Sequence, residues 1–133
     1  MAHWLMKSEP DVYGWENLAK KHPAPWTDVR NYQARNNMKA MKKGEHIFFY
    51  HSNIGKEIVG IMEVVTEAYT DPADPRFVLV DVKPVEKLKR PVTLAEIKAE
   101  PKLENIALIR QSRLSVMPIT AEEWKTILKH SKS

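Results

Sequence analysis

The sequence contains no cysteine and only four glycines among its 133 residues. Without cysteine it cannot form disulfides, use a thiol nucleophile or bind zinc or an iron–sulfur cluster through thiolates. Four dispersed glycines cannot form a glycine-rich phosphate-binding loop. The sequence also lacks a run of about 18 apolar residues, so no membrane-spanning helix is predicted. Together these absences predict a cytoplasmic protein, or a nuclear one in a eukaryote, that has no membrane partner.

Residues that could support catalysis or bind a metal are equally scarce. The five histidines include no pair at i, i+4 spacing, and His46 and His51 should face opposite sides of one strand. His51 is followed by Ser52, but the G-x-S-x-G motif that presents a serine nucleophile is missing. The carboxylates are scattered and suggest no acid–base pair. We therefore predict a non-enzymatic protein with no catalytic residue, no metal site and no cofactor.

The composition is that of a globular protein with a small excess of positive charge. Hydrophobic residues make up 43% and charged residues 29% of the chain. The length suits one domain over residues 1–133, expected to be a monomer or a weak dimer. Between Trp26 and Lys43, two arginines and three lysines accompany a single acid, Asp28. This local excess predicts a cationic surface suited to phosphate.

The pattern of apolar residues predicts strands and helices that do not alternate. Strands are expected at His3–Lys7, His46–Ser52, Glu57–Thr66 and Phe77–Val82, the last continuing irregularly towards Leu88. Helices are expected within Asp11–Lys21, from the N-cap Asn31 to a stop at Gly44, and after the capping-box residues Thr93 and Thr120. Without alternation a doubly wound parallel sheet is disfavoured. We predict an α/β (α+β) fold, with helices packed around a curved antiparallel or mixed sheet.

Side chains suited to nucleic-acid binding are concentrated in one segment. It contains Trp26, Val29, Arg30, Asn31, Tyr32, Gln33, Arg35, Asn36 and Asn37. Aromatic rings can stack on bases, amides can read base edges, and guanidinium groups can bind phosphates. The same residues also fit a structural role, in which Trp26 belongs to the core, the amides cap a helix and the basic residues form a solvated helix face. The segment leaves both interpretations open.

Six strings of the sequence resemble the EVE domain family. They are WLMKSEP (4–10), WTDVRNYQARNNMKAMKKGE (26–45), FFYHSN (48–53), IVGIMEV (58–64), RPVTLAEIK (90–98) and RQSRLSV (110–116). The family belongs to the PUA-like superfamily, so the resemblance implies a curved, mixed β-sheet pseudo-barrel with peripheral helices. Its relatives, the YTH and SRA domains, hold a modified base in a pocket.

The resemblance also implies which residues bind the base. Lys7 and Ser8 would end the first strand beside the pocket, and Trp26 would form the pocket wall with Asn31 close by. The hairpin residues Tyr50, His51, Ser52 and Asn53 would close the cavity, and Arg110 and Arg113 would line the phosphate side. The chemistry of the segment after Trp26 adds Val29, Arg30, Gln33, Arg35 and Asn36 to the expected site residues. Asp28 stands where many members have glycine, and it would place a carboxylate beside the pocket.

Three functions are compatible with these observations, and nucleic acid is the predicted partner in the first two. The leading prediction is a non-enzymatic domain that reads a modified cytosine or adenine in DNA by extruding it into an aromatic pocket. The alternatives are an RNA-modification reader of the YTH kind and a small nucleotide-processing enzyme. The lack of a nucleophile, a metal set and an acid–base pair disfavours the enzyme. DNA and RNA readers use the same contacts, so the sequence does not separate them.

Overall fold

The structure is a computed structural model that describes residues 2–27 and 29–132, so Asp28 and its predicted place beside the pocket lie outside the described residues. The strands are β1 (His3–Ser8), β2 (Ala24–Pro25), β3 (His46–His51), β4 (Glu57–Thr70), β5 (Val78–Thr93) and β6 (Val116–Ile119). The helices are α1 (Pro10–Tyr13), α2 (Trp15–Lys20), α3 (Tyr32–Ala40), α4 (Leu94–Ala99), α5 (Ala107–Arg110) and α6 (Ala121–Ser131), with a 3-10 turn at Pro101–Leu103.

The strands form one six-stranded sheet in the order β2-β5-β4-β3-β1-β6. β1 and β3 are parallel, with Ser8 opposite His51 at their carboxyl ends, and the other strand pairs are antiparallel. Several shifts in register interrupt the long β4–β5 pairing. Such irregularities bend a strand pair and increase its twist. The predicted fold class, a mixed curved sheet with peripheral helices, is therefore confirmed.

Strand β3 lies at the centre of the molecule and is buried on both faces. On one face Phe48 stacks on Trp124 of α6, with ring centroids 3.7 Å apart. On the other face Phe49 contacts Trp15 and Trp26 edge-on, at 5.7 and 5.3 Å. This explains the continuous apolar run of the strand, because a strand covered on both sides cannot alternate between apolar and polar residues.

The three helix starts predicted from capping residues are confirmed, the helix predicted within Asp11–Lys21 is divided into α1 and α2 at Gly14, and one predicted stop is wrong. Asn31 caps α3 by accepting a hydrogen bond from the Ala34 amide at 2.9 Å, and the capping boxes at Thr93 and Thr120 are formed. The helix α3 ends at Ala40 rather than at Gly44, because the Lys42 amide donates to the buried Glu45 carboxylate at 2.8 Å. No helix among residues 2–27 and 29–132 is long and apolar enough to cross a membrane.

The lengths of the strands differ most from the prediction. β4 continues to Thr70, and β5 begins at Val78 and runs to Thr93, well beyond Val82 and Leu88. The two strands pair along most of this length, from Glu57 opposite Thr93 to Thr70 opposite Val78. The charged and proline-containing end of β5 shows no apolar alternation of its own. Its strand conformation is supported by hydrogen bonds to β4, which the local sequence does not reveal.

Candidate functional site

A cavity of about 680 Å³ opens at the carboxyl ends of the parallel strands β1 and β3. We call it the main cavity. It is lined by Lys7, Ser8, Glu9, Val12, Tyr13, Pro25, Trp26, Thr27, Ser52, Ser112, Arg113 and Ser115. Its volume falls within the range of about 300–1,000 Å³ that is usual for small-ligand sites. The lining combines aromatic, apolar, hydroxyl and charged groups, so the cavity offers both packing surface and hydrogen-bond partners.

Two aromatic residues form one wall of the main cavity. Trp26 is only 5% exposed, and its backbone amide donates to the Val80 carbonyl at 2.8 Å. Its indole meets Phe49 and Tyr13 edge-on, with centroids 5.3 and 6.1 Å away. Trp26 therefore belongs to the core and lines the cavity at once. The two interpretations left open by the sequence do not exclude each other.

Three polar residues of the main cavity form hydrogen bonds within the protein. The Lys7 ammonium donates to the Ser112 carbonyl at 2.8 Å, and burial lowers the pKa of this half-buried side chain. The Ser8 hydroxyl donates to the Tyr13 carbonyl at 2.5 Å. The Glu9 carboxylate accepts a hydrogen bond from the Asn53 amide at 2.7 Å. Lys7 retains two N–H donors and Glu9 retains acceptor sites, so both can serve a ligand.

A second, smaller cavity of about 210 Å³ adjoins the first. We call it the side cavity. It is lined by Lys7, Tyr50, Ser52, Asn53, Lys56, Leu94, Leu108 and Ser112, and it shares Lys7, Ser52 and Ser112 with the main cavity. Tyr50 is 3% exposed, and burial raises the pKa of its phenol. The hydroxyl is therefore a neutral hydrogen-bond donor at physiological pH.

The predicted arginines of the segment after Trp26 lie outside both cavities. Arg30 pairs with the buried Asp71 at 3.3 Å and lies over the Phe77 ring at 5.2 Å. Arg35 lies over the Tyr32 ring at 4.8 Å and donates to the Arg76 carbonyl at 3.1 Å. These contacts join the start of α3 to the β4–β5 turn, a structural role that accounts for much of the aromatic and basic content of the segment.

Other predicted residues are also engaged in structural contacts. Asn31 caps α3, and Val29 is buried. The Gln33 side chain donates to Gln111, and the Asn36 side chain accepts from Arg35. Arg110 donates to the Glu104 carbonyl. The His51 ring accepts the Trp15 backbone N–H at 3.1 Å, and burial lowers the pKa of this imidazole. The ring nitrogen can accept this hydrogen bond only when it carries no proton, so His51 is neutral here.

Of the fifteen predicted site residues, the main cavity includes Lys7, Ser8, Trp26, Ser52 and Arg113, and the side cavity adds Tyr50 and Asn53.

The three lysines of the predicted cationic surface lie towards the opposite end of the sheet from the main cavity. Lys42 and Lys43 precede β3, whereas Ser52 of the main cavity follows it. The six residues of β3 span about 20 Å at a rise of about 3.3 Å per residue. Lys39, at the end of α3, lies close to this pair in the chain. These lysines therefore do not form the rim of the main cavity.

Sequence reasoning missed several of the residues that the structure brings to the two cavities. They are Glu9, Val12, Tyr13, Pro25, Thr27, Lys56, Ser112 and Ser115. One signal was available for Glu9, because it follows directly on the Lys7–Ser8 pair at the end of β1. Ligands often bind where parallel strands end together. Tyr13 belongs to none of the strings that resemble the family, whereas Ser112 and Ser115 lie in the string RQSRLSV, which was a signal for them. The tertiary fold brings all three residues to the site.

The EVE domain family model matches residues 2–130 of the chain. The chain belongs to the EVE domain family. Human thymocyte nuclear protein 1 is 37% identical over 163 residues, covering 96% of this EVE domain chain and 72% of the human protein. An NMR structure of a Rhodopseudomonas palustris protein is 52% identical, covers 99% of this chain and 94% of its own, and has a TM-score of 0.94.

A third comparison concerns a structure solved with a ligand. The crystal structure of human thymocyte nuclear protein 1 in complex with DNA containing 5-methylcytosine is 36% identical to this EVE domain. The match covers 100% of this chain and 99% of the human chain, with a TM-score of 0.90. The resemblance of the sequence strings to the family is thus confirmed over nearly the whole chain.

Proposed function

We propose that this EVE domain binds DNA and holds an extruded modified base, with 5-methylcytosine as the first candidate, in the main cavity. The human relative that was solved with DNA containing this base supports the proposal. The cavity provides the physical requirements. An extruded base loses its stacking neighbours in the duplex, and the protein has to replace them with aromatic or apolar surface. Trp26 and Tyr13 supply that surface.

The observation that carries the proposal is the set of polar groups that faces this aromatic wall. Lys7 and Arg113 can donate to the two acceptors of cytosine, N3 and O2, and the Glu9 carboxylate can accept from its exocyclic amine. Carboxylates are the usual partners of that amine. Val12 and Pro25 add apolar surface on which the 5-methyl group can lie. Donors, an acceptor and an apolar contact therefore match three different features of one base.

Glu9 should allow the domain to distinguish 5-methylcytosine from thymine, which carries the same methyl group but an oxygen in place of the amine. We expect the wild-type protein to bind a single-stranded DNA with one 5-methylcytosine about tenfold more tightly than the same strand with thymine, the gain typical of one hydrogen bond to a charged group. Glu9→Gln should largely remove this preference, because the glutamine carbonyl oxygen can still accept from Asn53 but the NH2 group that replaces the second carboxylate oxygen cannot accept from the amine.

Fluorescence anisotropy at one fixed salt concentration measures both affinities. Glu86→Gln is the matched control, because Glu86 is exposed on β5 and lines neither cavity. It should leave the preference for 5-methylcytosine unchanged. If Glu9→Gln and Glu86→Gln both retain the preference of the wild-type protein, Glu9 does not read the base and the proposed orientation of the base is wrong.

A further inference from the structure

The side cavity combines hydrogen-bond donors and positive charge with the apolar side chains of Leu94 and Leu108. Lys7 and Lys56 provide two ammonium groups, and Tyr50, Ser52 and Ser112 provide three hydroxyl groups. Among the described residues that line it, none is a carboxylate. The volume of about 210 Å³ corresponds to about seven waters at ~30 Å³ each. Such a cavity can hold a phosphate group together with a few waters, and its chemistry favours an anion.

Lys7 connects the side cavity with the main cavity, because it lines both. Its ammonium is held by one hydrogen bond to the Ser112 carbonyl, which leaves two N–H donors for a ligand. Burial lowers the pKa of this ammonium, and no ion pair of Lys7 is found within the described part of the chain. An anion beside it would compensate for the water that the charge has lost.

Lys56 is brought to the side cavity by an unusual turn between β3 and β4. Asn53, Gly55 and Lys56 all have positive φ angles, of 64°, 87° and 46°. The left-handed conformation is unfavourable for a lysine and ordinarily suits glycine. The Lys56 carbonyl accepts the Leu94 amide at 2.9 Å, which ties this turn to the start of α4. Backbone strain of this kind persists only where the surrounding structure maintains it, and strained residues are concentrated at ligand-binding sites.

We propose that the side cavity binds a phosphate group, that of the nucleotide whose base occupies the main cavity. This inference rests on the proposed function, because the two cavities share Lys7, Ser52 and Ser112 and one nucleotide can therefore reach into both. Lys56 and Lys7 neutralise the phosphate, and the hydroxyl groups of Ser52 and Tyr50 donate to its oxygens. The Glu9 carboxylate accepts a hydrogen bond from Asn53, but Glu9 is not among the residues that line the side cavity.

The test compares ligands that differ only in the phosphate. Isothermal titration calorimetry measures the binding of 5-methyl-2′-deoxycytidine, of its 5′- and 3′-monophosphates and of inorganic phosphate to the wild-type protein, Lys56→Gln and Lys42→Gln. Lys42 is the matched control, because it is an exposed lysine at the opposite end of β3. In the wild-type protein and in Lys42→Gln, one of the monophosphates should bind at least about tenfold more tightly than the nucleoside, as expected for charge-assisted hydrogen bonds.

In Lys56→Gln the gain from the phosphate should fall to less than about threefold, while binding of the nucleoside is unchanged. Lys56→Gly provides a second variant with an independent readout. Glycine adopts the positive φ without strain, so the melting temperature should not fall, yet the gain from the phosphate should be lost as it is in Lys56→Gln. If Lys56→Gln and Lys56→Gly both retain the gain that Lys42→Gln shows, or if no monophosphate binds better than the nucleoside, the proposal is overturned.

The phosphate can come from a DNA strand or from a free nucleotide, because both carry the same chemical group. A DNA strand with one uncharged linkage distinguishes these two sources of the phosphate. Replacing the phosphodiester beside the 5-methylcytosine with a methylphosphonate should weaken DNA binding to the wild-type protein but not to Lys56→Gln. A gain for monophosphates without this effect would support the phosphate site and identify free nucleotides as its source. The ratio of affinities for methylated and unmethylated DNA reports on the main cavity alone, so failure of the phosphate site and failure of the proposed function are distinguishable.

Discussion

Replacing Trp26 with alanine is expected to lower the free energy of unfolding by about 3–5 kcal/mol, the usual cost of removing a buried tryptophan. The indole is 5% exposed and packs against Phe49 and Tyr13. For a chain of this length such a loss should reduce the melting temperature by roughly 10–20 °C. Affinity for the modified base should also fall, by about 5- to 150-fold, because stacking on an aromatic ring is worth roughly 1–3 kcal/mol per base.

Trp15 provides a control for the two roles of Trp26. It is also 5% exposed and also meets Phe49 edge-on, but it lines neither cavity. Trp15→Ala should therefore lower the melting temperature to a similar extent without changing the affinity of the folded protein. Trp26→Leu and Trp15→Leu retain an apolar side chain in the core and keep the comparison possible if the alanine variants do not fold. Leucine offers no aromatic ring to a base, so equal affinities of the two leucine variants would show that Trp26 does not stack on the base.

Gly60→Ala should be among the most destabilising small substitutions in the protein. A Cβ atom at Gly60 would lie 2.4 Å from Cζ3 of Trp15 and 2.6 Å from its Cη2. The ring cannot retreat easily, because Phe49 packs against it and the Trp15 amide donates to His51. Overpacking of this kind costs typically 1–3 kcal/mol, and we expect about 3 kcal/mol here because a rigid ring has to move. Urea denaturation of the wild-type and variant proteins measures the loss.

A second substitution tests the cause of this loss. Trp15→Leu removes the ring that the new methyl group would meet, so in that background Gly60→Ala should cost less than about 1 kcal/mol. The difference from its cost in the wild-type protein is the coupling energy of the two residues, and it has the size found between contacting residues. If the two substitutions are additive, the contact between Gly60 and Trp15 is not the source of the destabilisation.

The parts of the fold that were predictable are those determined by a few neighbouring residues. Asn31, Thr93 and Thr120 mark helix starts because each side chain accepts a hydrogen bond from an amide three residues later. The register and full length of β4 and β5 depend instead on pairing between distant segments. The end of α3 depends on a buried carboxylate, Glu45, which follows the helix in the chain.

The candidate site was less predictable than the fold, and for the same reason. Lys7, Ser8 and Ser52 lie at strand ends, and the resemblance to the family indicated them. Tyr13 and Arg113 reach the main cavity from segments a hundred residues apart in the chain. The resemblance to the family indicated Arg113, whereas no local pattern reveals Tyr13. Conversely, the segment rich in arginine and amides looked like a binding surface, although Arg30 and Arg35 hold α3 against the β4–β5 turn.

The most direct test of the proposed function is the affinity of the wild-type protein for two DNA duplexes of one sequence, one carrying 5-methylcytosine and the other cytosine, at the same salt concentration. Burying one methyl group contributes about 0.8 kcal/mol, so the methylated duplex should bind at least about fourfold more tightly. Contacts to the phosphates alone would give the two duplexes equal affinity. Equal affinity would therefore contradict the proposal that the main cavity reads the modified base.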